Sequence, residues 1–160
     1  MNVSWLIPVL ILIPNLLWML FPPIDMPRER PEKPNGRLPV ILEWMGRIGV
    51  FVIPVFYVIN VASTVQVVGV GIMALALLVY YAGWARYFLR GRAYALLFKP
   101  LLGLPIPLAI SPVLYFAAAS VLLGSWPLAL ATALLGVAHI PISYRDYRRL
   151  VASTPVENEA

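Results

Sequence analysis

The chain has 160 residues, 61% hydrophobic and 12% charged, with a mean hydropathy of +0.85 and a formal net charge of +5. Soluble domains carry about 25% charged residues, so the composition excludes a water-soluble globule and leaves no room for a separate soluble domain. The absence of cysteine excludes disulfides, thiolate metal sites and cysteine nucleophiles.

A positive balance in a soluble chain would point to nucleic acid. Here the cations fall between apolar runs, where anionic lipid and the control of orientation account for them. Several of those runs approach the roughly 20 residues that cross a bilayer as helix. The sequence therefore reads as an all-α polytopic membrane protein. It forms a single membrane domain over 1–144, with five transmembrane helices at 3–21, 40–61, 67–85, 106–124 and 128–144.

The first span lacks a basic leader and a small-residue cleavage site, so it reads as a span rather than a signal peptide. Pro8 and Pro14 interrupt it, and Asn15 is placed to satisfy a carbonyl that a proline frees. The loop 22–39 is punctuated by six prolines and an Asn35-Gly36 turn signal. Arg28, Arg30, Lys33 and Arg37 there are mixed with Asp25, Glu29 and Glu32, a pattern of solvation rather than of a site.

In the second span Glu43 and Arg47 stand four apart, on one helical face and in the favourable acid-first order. Ionisable residues inside a span normally face the bundle interior or a wet cavity. The plainer alternative is a pair that neutralises itself near the interface, with Arg47 reaching outward. Gly46 and Gly49 make a thin face for a neighbouring helix, and Pro54 is expected to kink the outer half. The third span follows the uncharged turn 62–66. Its stripe of Tyr80, Trp84 and Tyr87 reads as an aromatic belt at headgroup level. Arg86 and Arg90 form its last turn and Gly91 its stop.

Residues 92–104 are too few to span and too apolar for water, which suits an interfacial or re-entrant segment with Lys99-Pro100 as its polar corner. Pro107 opens the fourth span and Pro112 bends it. The fifth span presents Ala129, Thr132, Ala133 and Gly136 as a small face, and ends on His139, Pro141, Ser143 and Tyr144. The lone His reads either as a hydrogen-bonded packing residue or as a proton carrier. The tail 145–160 is expected to fray.

Eleven of the twelve Lys and Arg residues fall in the first loop, the basic loop 86–105 and the tail. The positive-inside rule then places the N-terminus outside a cell membrane and the C-terminus in the cytoplasm. At a rise of 1.5 Å per residue, Glu43 lies roughly 5 Å, Arg47 roughly 10 Å and His139 roughly 7 Å from the cytoplasmic surface. The expected site thus has Glu43 and His139 as proton carriers, with Arg47, Arg86, Tyr87, Arg90, Lys99, Tyr144 and Arg145 holding an anionic lipid or a lipid-linked phosphate. The alternatives are a proton-coupled transporter or channel, and an accessory subunit without catalysis. Expected partners are membrane lipids with anionic headgroups and, through the small helix faces, a second copy or another membrane protein. The pattern calls for no metal, no cofactor and no nucleic acid. No phosphate-binding glycine loop, H-E-x-x-H or dinucleotide fingerprint is present.

Overall fold

The computed structural model describes residues 3–26 and 37–153. Among them are five α-helices: α1 (Leu6–Leu20), α2 (Leu38–Val52), α3 (Thr64–Leu89), α4 (Pro107–Leu122) and α5 (Trp126–Ser153). A 3-10 turn over Ile53–Phe56 extends α2. The described residues hold no strand, only an isolated bridge between Leu101 and Leu104. Three helical stretches are long and apolar enough to cross a membrane: Leu38–Phe56, Thr64–Leu89 and Trp126–Ala152. The other two, α1 and α4, are shorter apolar helices.

Local sequence sets the boundaries. Ser63 caps α3 with its hydroxyl on the Gln66 N–H, and the Gln66 side chain returns to the Ser63 N–H, a reciprocal capping box. The turn 62–66 is therefore partly the start of a helix. At the other end Gly91 takes a left-handed φ of 81°, and the Arg92 N–H reaches back 3.0 Å to the Tyr87 carbonyl. Pro107 occupies the first turn of α4, where its missing N–H has no intrahelical acceptor to lose. Ser125 joins α4 to α5: its N–H bonds the Ser120 carbonyl, and its hydroxyl accepts from the Leu128 N–H.

Two elements run differently from the sequence expectation. The second span stops at Phe56 rather than near 61, because Pro54 removes a donor and the chain tightens into the 3-10 turn and then extends. Helix α5 continues through Pro141 to Ser153, so the part of the tail described here is helical rather than frayed. The expectations for Arg28, Glu29, Arg30, Glu32, Lys33 and the Asn35-Gly36 turn lie outside the described residues.

Proline in α1 is compensated from α3. Pro14 cannot donate to the Leu10 carbonyl, and the Tyr81 hydroxyl fills that place at 2.8 Å. The Ile11 carbonyl accepts from Asn15 Nδ2 at 2.8 Å and from the Tyr80 hydroxyl at 3.2 Å. Pro8, by contrast, lies in the first turn of α1, where it interrupts little.

Helix α3 packs on α4, α4 on α5, and α5 on α2, while α1 lies across α2 and α3. The closest approach is at Gly46, where an added Cβ would sit 2.5 Å from the Leu135 backbone N and 2.9 Å from the Ala131 carbonyl. The small face of α5 that meets α2 is thus centred on Ala131, while Ala129 and Ala133 are exposed. Tyr80, Trp84 and Tyr87 are 2%, 7% and 0% exposed. The aromatic stripe is therefore the interior seam of the bundle rather than a belt at its rim.

The bundle has two unlike ends. At one, the Ser4 hydroxyl bonds the Tyr57 carbonyl and Gln66 Nε2 bonds the Leu122 carbonyl, with no charged group nearby in the chain. At the other, Asp25 accepts from the Tyr94 N–H at 2.6 Å and the Ile24 N–H meets the Arg92 carbonyl. All the described Lys and Arg residues except Arg47 belong to segments gathered at this second end.

Candidate functional site

Glu43 on α2 and His139 on α5 meet at the charged end, with 2.9 Å between Glu43 Oε1 and His139 Nδ1. Arg47, one turn along α2, places Nη2 2.5 Å from the same oxygen. The contact exists because Gly46 lets α5 approach α2 next to both side chains. Both interactions fall on Oε1, and Oε2 accepts no hydrogen bond from the described residues. Arg47 is 45% exposed, whereas Glu43 is 18% exposed.

This pair faces a cavity of about 340 Å³, lined also by Asn15, Trp18, Trp84, Phe98, Ser143 and Asp146. The segment after α3 closes one side of it through Leu97, Phe98 and Ile106. A second cavity of about 290 Å³, lined by apolar residues such as Ile11, Phe51, Phe116 and Leu135, shares Asn15, Trp18, Leu108 and His139 with the first. Arg47 also lines the second, so both are mainly apolar cavities with a few polar side chains on their walls.

The segment 92–106 is held by Arg86. Its Nη1 donates to the Pro100 carbonyl at 2.7 Å, and its Nη2 to the Lys99 and Leu96 carbonyls at 2.6 and 3.1 Å. Arg86 thus folds the segment back over the end of α3. The turn from Leu101 to Leu104 and left-handed φ values at Arg92, Leu102 and Ile106 complete the fold-back. Left-handed backbone at non-glycine residues costs of order 1–3 kcal/mol each and persists only where the surroundings impose it.

The remaining sequence-selected residues are spread around this centre. Tyr87 is buried, and its hydroxyl donates to the Phe21 carbonyl at 3.0 Å. Arg90, Lys99 and Arg145 are exposed at the charged end. Tyr144 is exposed on α5 with its ring near that of Tyr147. Among the described residues no three His, Asp or Glu side chains are grouped to hold a metal ion.

Two lining residues, Asp146 and Trp18, are not singled out by the sequence reading, and Trp84 lines the cavity rather than a headgroup belt. Asp146 follows His139 by seven positions and Ser143 by three, so helical spacing alone puts all three on one face. The sequence reading places it in a fraying tail instead. Trp18 and Trp84 carry indole Nε1 atoms that are buried without a hydrogen-bond partner. The Trp84 N–H comes near the Tyr80 hydroxyl without meeting hydrogen-bond geometry; that oxygen already accepts from Asn15 and donates to Ile11. Both indole nitrogens are enclosed by protein atoms rather than open to the cavity, where a donor without a partner costs about 1–3 kcal/mol. Comparison with protein-family models, curated proteins and solved structures finds no match for this chain.

Proposed function

We propose that this chain is a five-span membrane protein of the cell membrane, N-terminus outside, that binds a phospholipid or polyprenyl phosphate from the cytoplasmic leaflet. The observation that carries this reading is the pair of cavities toward the charged end that share Asn15, Trp18, Leu108 and His139 on their walls, with exposed cations at that end of the bundle. An amphiphile needs an apolar lobe for its chain, donors for its ester or phosphate oxygens, and cations at headgroup level. Five crossings are supported by the course of the short helices. Helix α1 starts beside Tyr57 at the uncharged end and finishes beside Tyr87 at the charged end. Helix α4 runs the opposite way, from the segment after α3 to the Leu122 contact with Gln66.

Arg86 acts in this reading as the positioning residue for the segment 92–106. Contact with phosphate falls to Arg90, Lys99 and Arg145. The planar guanidinium holds phosphate through two parallel bonds that Lys cannot copy. Arg90→Lys and Arg145→Lys therefore keep the charge but lose most of the phosphatidylglycerol retained in native mass spectrometry, and Arg37→Lys loses almost none. Equal retention in all three variants would reduce the basic residues to an orientation signal and favour the accessory-subunit reading.

The proton-transport alternative draws on one observation, the continuous Arg47–Glu43–His139 contact. A relay needs further titratable groups across the membrane, and the described segments of the uncharged end, 57–66 and 121–127, carry no acid, His, Lys or Arg.

A further inference from the structure

The second cavity, of about 290 Å³, is walled by apolar side chains such as Ile11, Phe51 and Phe116, yet Arg47 and His139 also line it. Its rim carries Met19 of α1, 71% exposed, and Arg47 of α2, 45% exposed, so it opens between those two helices. Asn15 and Tyr80, the other polar residues on its wall, bond each other and the Ile11 carbonyl. Arg47 and His139 are less fully used. Of the guanidinium nitrogens only Nη2 meets an acceptor among the described residues, Glu43 Oε1. That contact also fixes the imidazole. Arg47 can only donate, so Oε1 is an acceptor, and His139 Nδ1, 2.9 Å from the same oxygen, carries the hydrogen. Nε2 of the neutral ring is then a bare lone pair. It has no partner among the described residues and, unlike the indole nitrogens of Trp18 and Trp84, is not enclosed by protein atoms.

We infer that this cavity binds a single-chain carboxylic acid, the chemistry of a fatty acid, with its carboxyl group between Arg47 and His139. A protonated carboxyl group has one O–H donor and one carbonyl acceptor. The O–H meets the Nε2 lone pair, and the carbonyl meets the spare N–H groups of Arg47. Both side chains touch one oxygen of Glu43, which holds their polar ends within a few ångströms of each other. The chain of the acid lies along the apolar wall. With the proton moved onto Nε2, the ligand carboxylate, imidazolium, Glu43 and guanidinium alternate in sign, so neither form leaves an uncompensated charge. The free acid is an anion in neutral water, so binding takes up one proton. The other titratable groups lining the two cavities that His139 faces are Asp146 on its own helix and Tyr80 from α3; α1, α4 and the segment 92–106 bring none. A phosphodiester has no such proton to give. This site is therefore separate from the phosphate contacts proposed for Arg90, Lys99 and Arg145 and does not rest on them.

The test is retention of dodecanoic acid by the purified full-length protein in native mass spectrometry. Dodecanol, with an O–H but no carbonyl, and methyl dodecanoate, with a carbonyl but no O–H, are the comparison ligands. The acid is retained about tenfold over each, the value of one charge-assisted hydrogen bond. Its retention falls about tenfold for each unit of pH above the acid's own titration, because one proton is taken up. His139→Asn places an amide N–H where Nδ1 faces Glu43 and deletes Nε2, so the helix contact is kept while the preference is lost. Arg47→Lys keeps the charge beside Glu43 but lacks the guanidinium fork, and lowers acid retention several-fold. Equal retention of the three compounds, or a preference untouched by His139→Asn, overturns the carboxyl site. So does loss of the preference in Arg90→Lys, which lies outside the cavity. Failure of phosphatidylglycerol to bind in the same samples overturns the phosphate reading and leaves a measured acid preference standing.

Discussion

Glu43 shows how much of the site one residue pair reveals. Its spacing from Arg47 is legible as an i, i+4 pair, and its level in the helix matches that of His139, so their meeting follows once α2 and α5 are neighbours. What spacing does not reveal is that both partners share one oxygen, because that depends on the rotamers at the Gly46 crossing. The shared oxygen makes a prediction. Glu43→Ala strands an imidazole and a guanidinium at once, so the Glu43 and His139 substitutions should be coupled by about 0.5–3 kcal/mol in a double-mutant cycle of detergent melting. Arg47→Met, at a half-exposed position, should cost less, on the order of 1 kcal/mol. Strictly additive losses for Glu43 and His139 would show that their contact has no energetic content. Trp18 and Asp146, missed from the sequence, and Trp84, read there as part of a belt, share a cause. An aromatic stripe and a charged helix end look alike whether they face lipid, water or a cavity, and only packing separates these cases.

At the scale of elements, glycine and proline were the most readable signals. Gly46 and Gly49 announced a close helix neighbour, and Gly91 announced the end of α3. Pro14 announced a freed carbonyl, although the donor proved to be Tyr81 from another helix, which no local pattern contains. The S-x-x-Q capping box at Ser63 was legible in principle and was masked by its polar, uncharged turn. The small face of α5 is half right: Thr132 is buried and Gly136 lies close to Val113 of α4, whereas Ala129 and Ala133 are exposed and the crossing with α2 selects Ala131. That crossing is testable. Gly46→Ala drives a methyl group into the Leu135 backbone, which cannot yield as a flexible side chain would. The expected loss is about 1–3 kcal/mol, typical of overpacking, with separation of Glu43 from His139. Gly71→Ala meets nothing within 4 Å and should gain up to about 1 kcal/mol from helix propensity. If the two variants melt alike, α2 and α5 are not in contact at this position.

The whole molecule is organised by the asymmetry of its ends, which charge counting exposed before any coordinate did. The structure adds that α1, at 15 residues and a rise of 1.5 Å each, is only about 22 Å long, against a hydrocarbon core of about 30 Å. Helix α3, at 26 residues, is about 39 Å long and exceeds that core. On the proposed five-span reading, a bilayer would thin beside α1 or draw its flanking residues inward. The orientation can be read directly, since the chain has no cysteine of its own. Ala62→Cys sits exposed at the uncharged end, and Leu102→Cys projects at the charged end with 84% of the native side chain exposed. In intact cells an impermeant thiol reagent should modify the first and spare the second, with both reacting after permeabilisation. The reverse pattern would turn the bundle over and place the cations and the cavity on the outer leaflet. Labelling of both in intact cells would mean that the segment 92–106 does not share the cytoplasmic side with α5, and the lipid site would lose its rim.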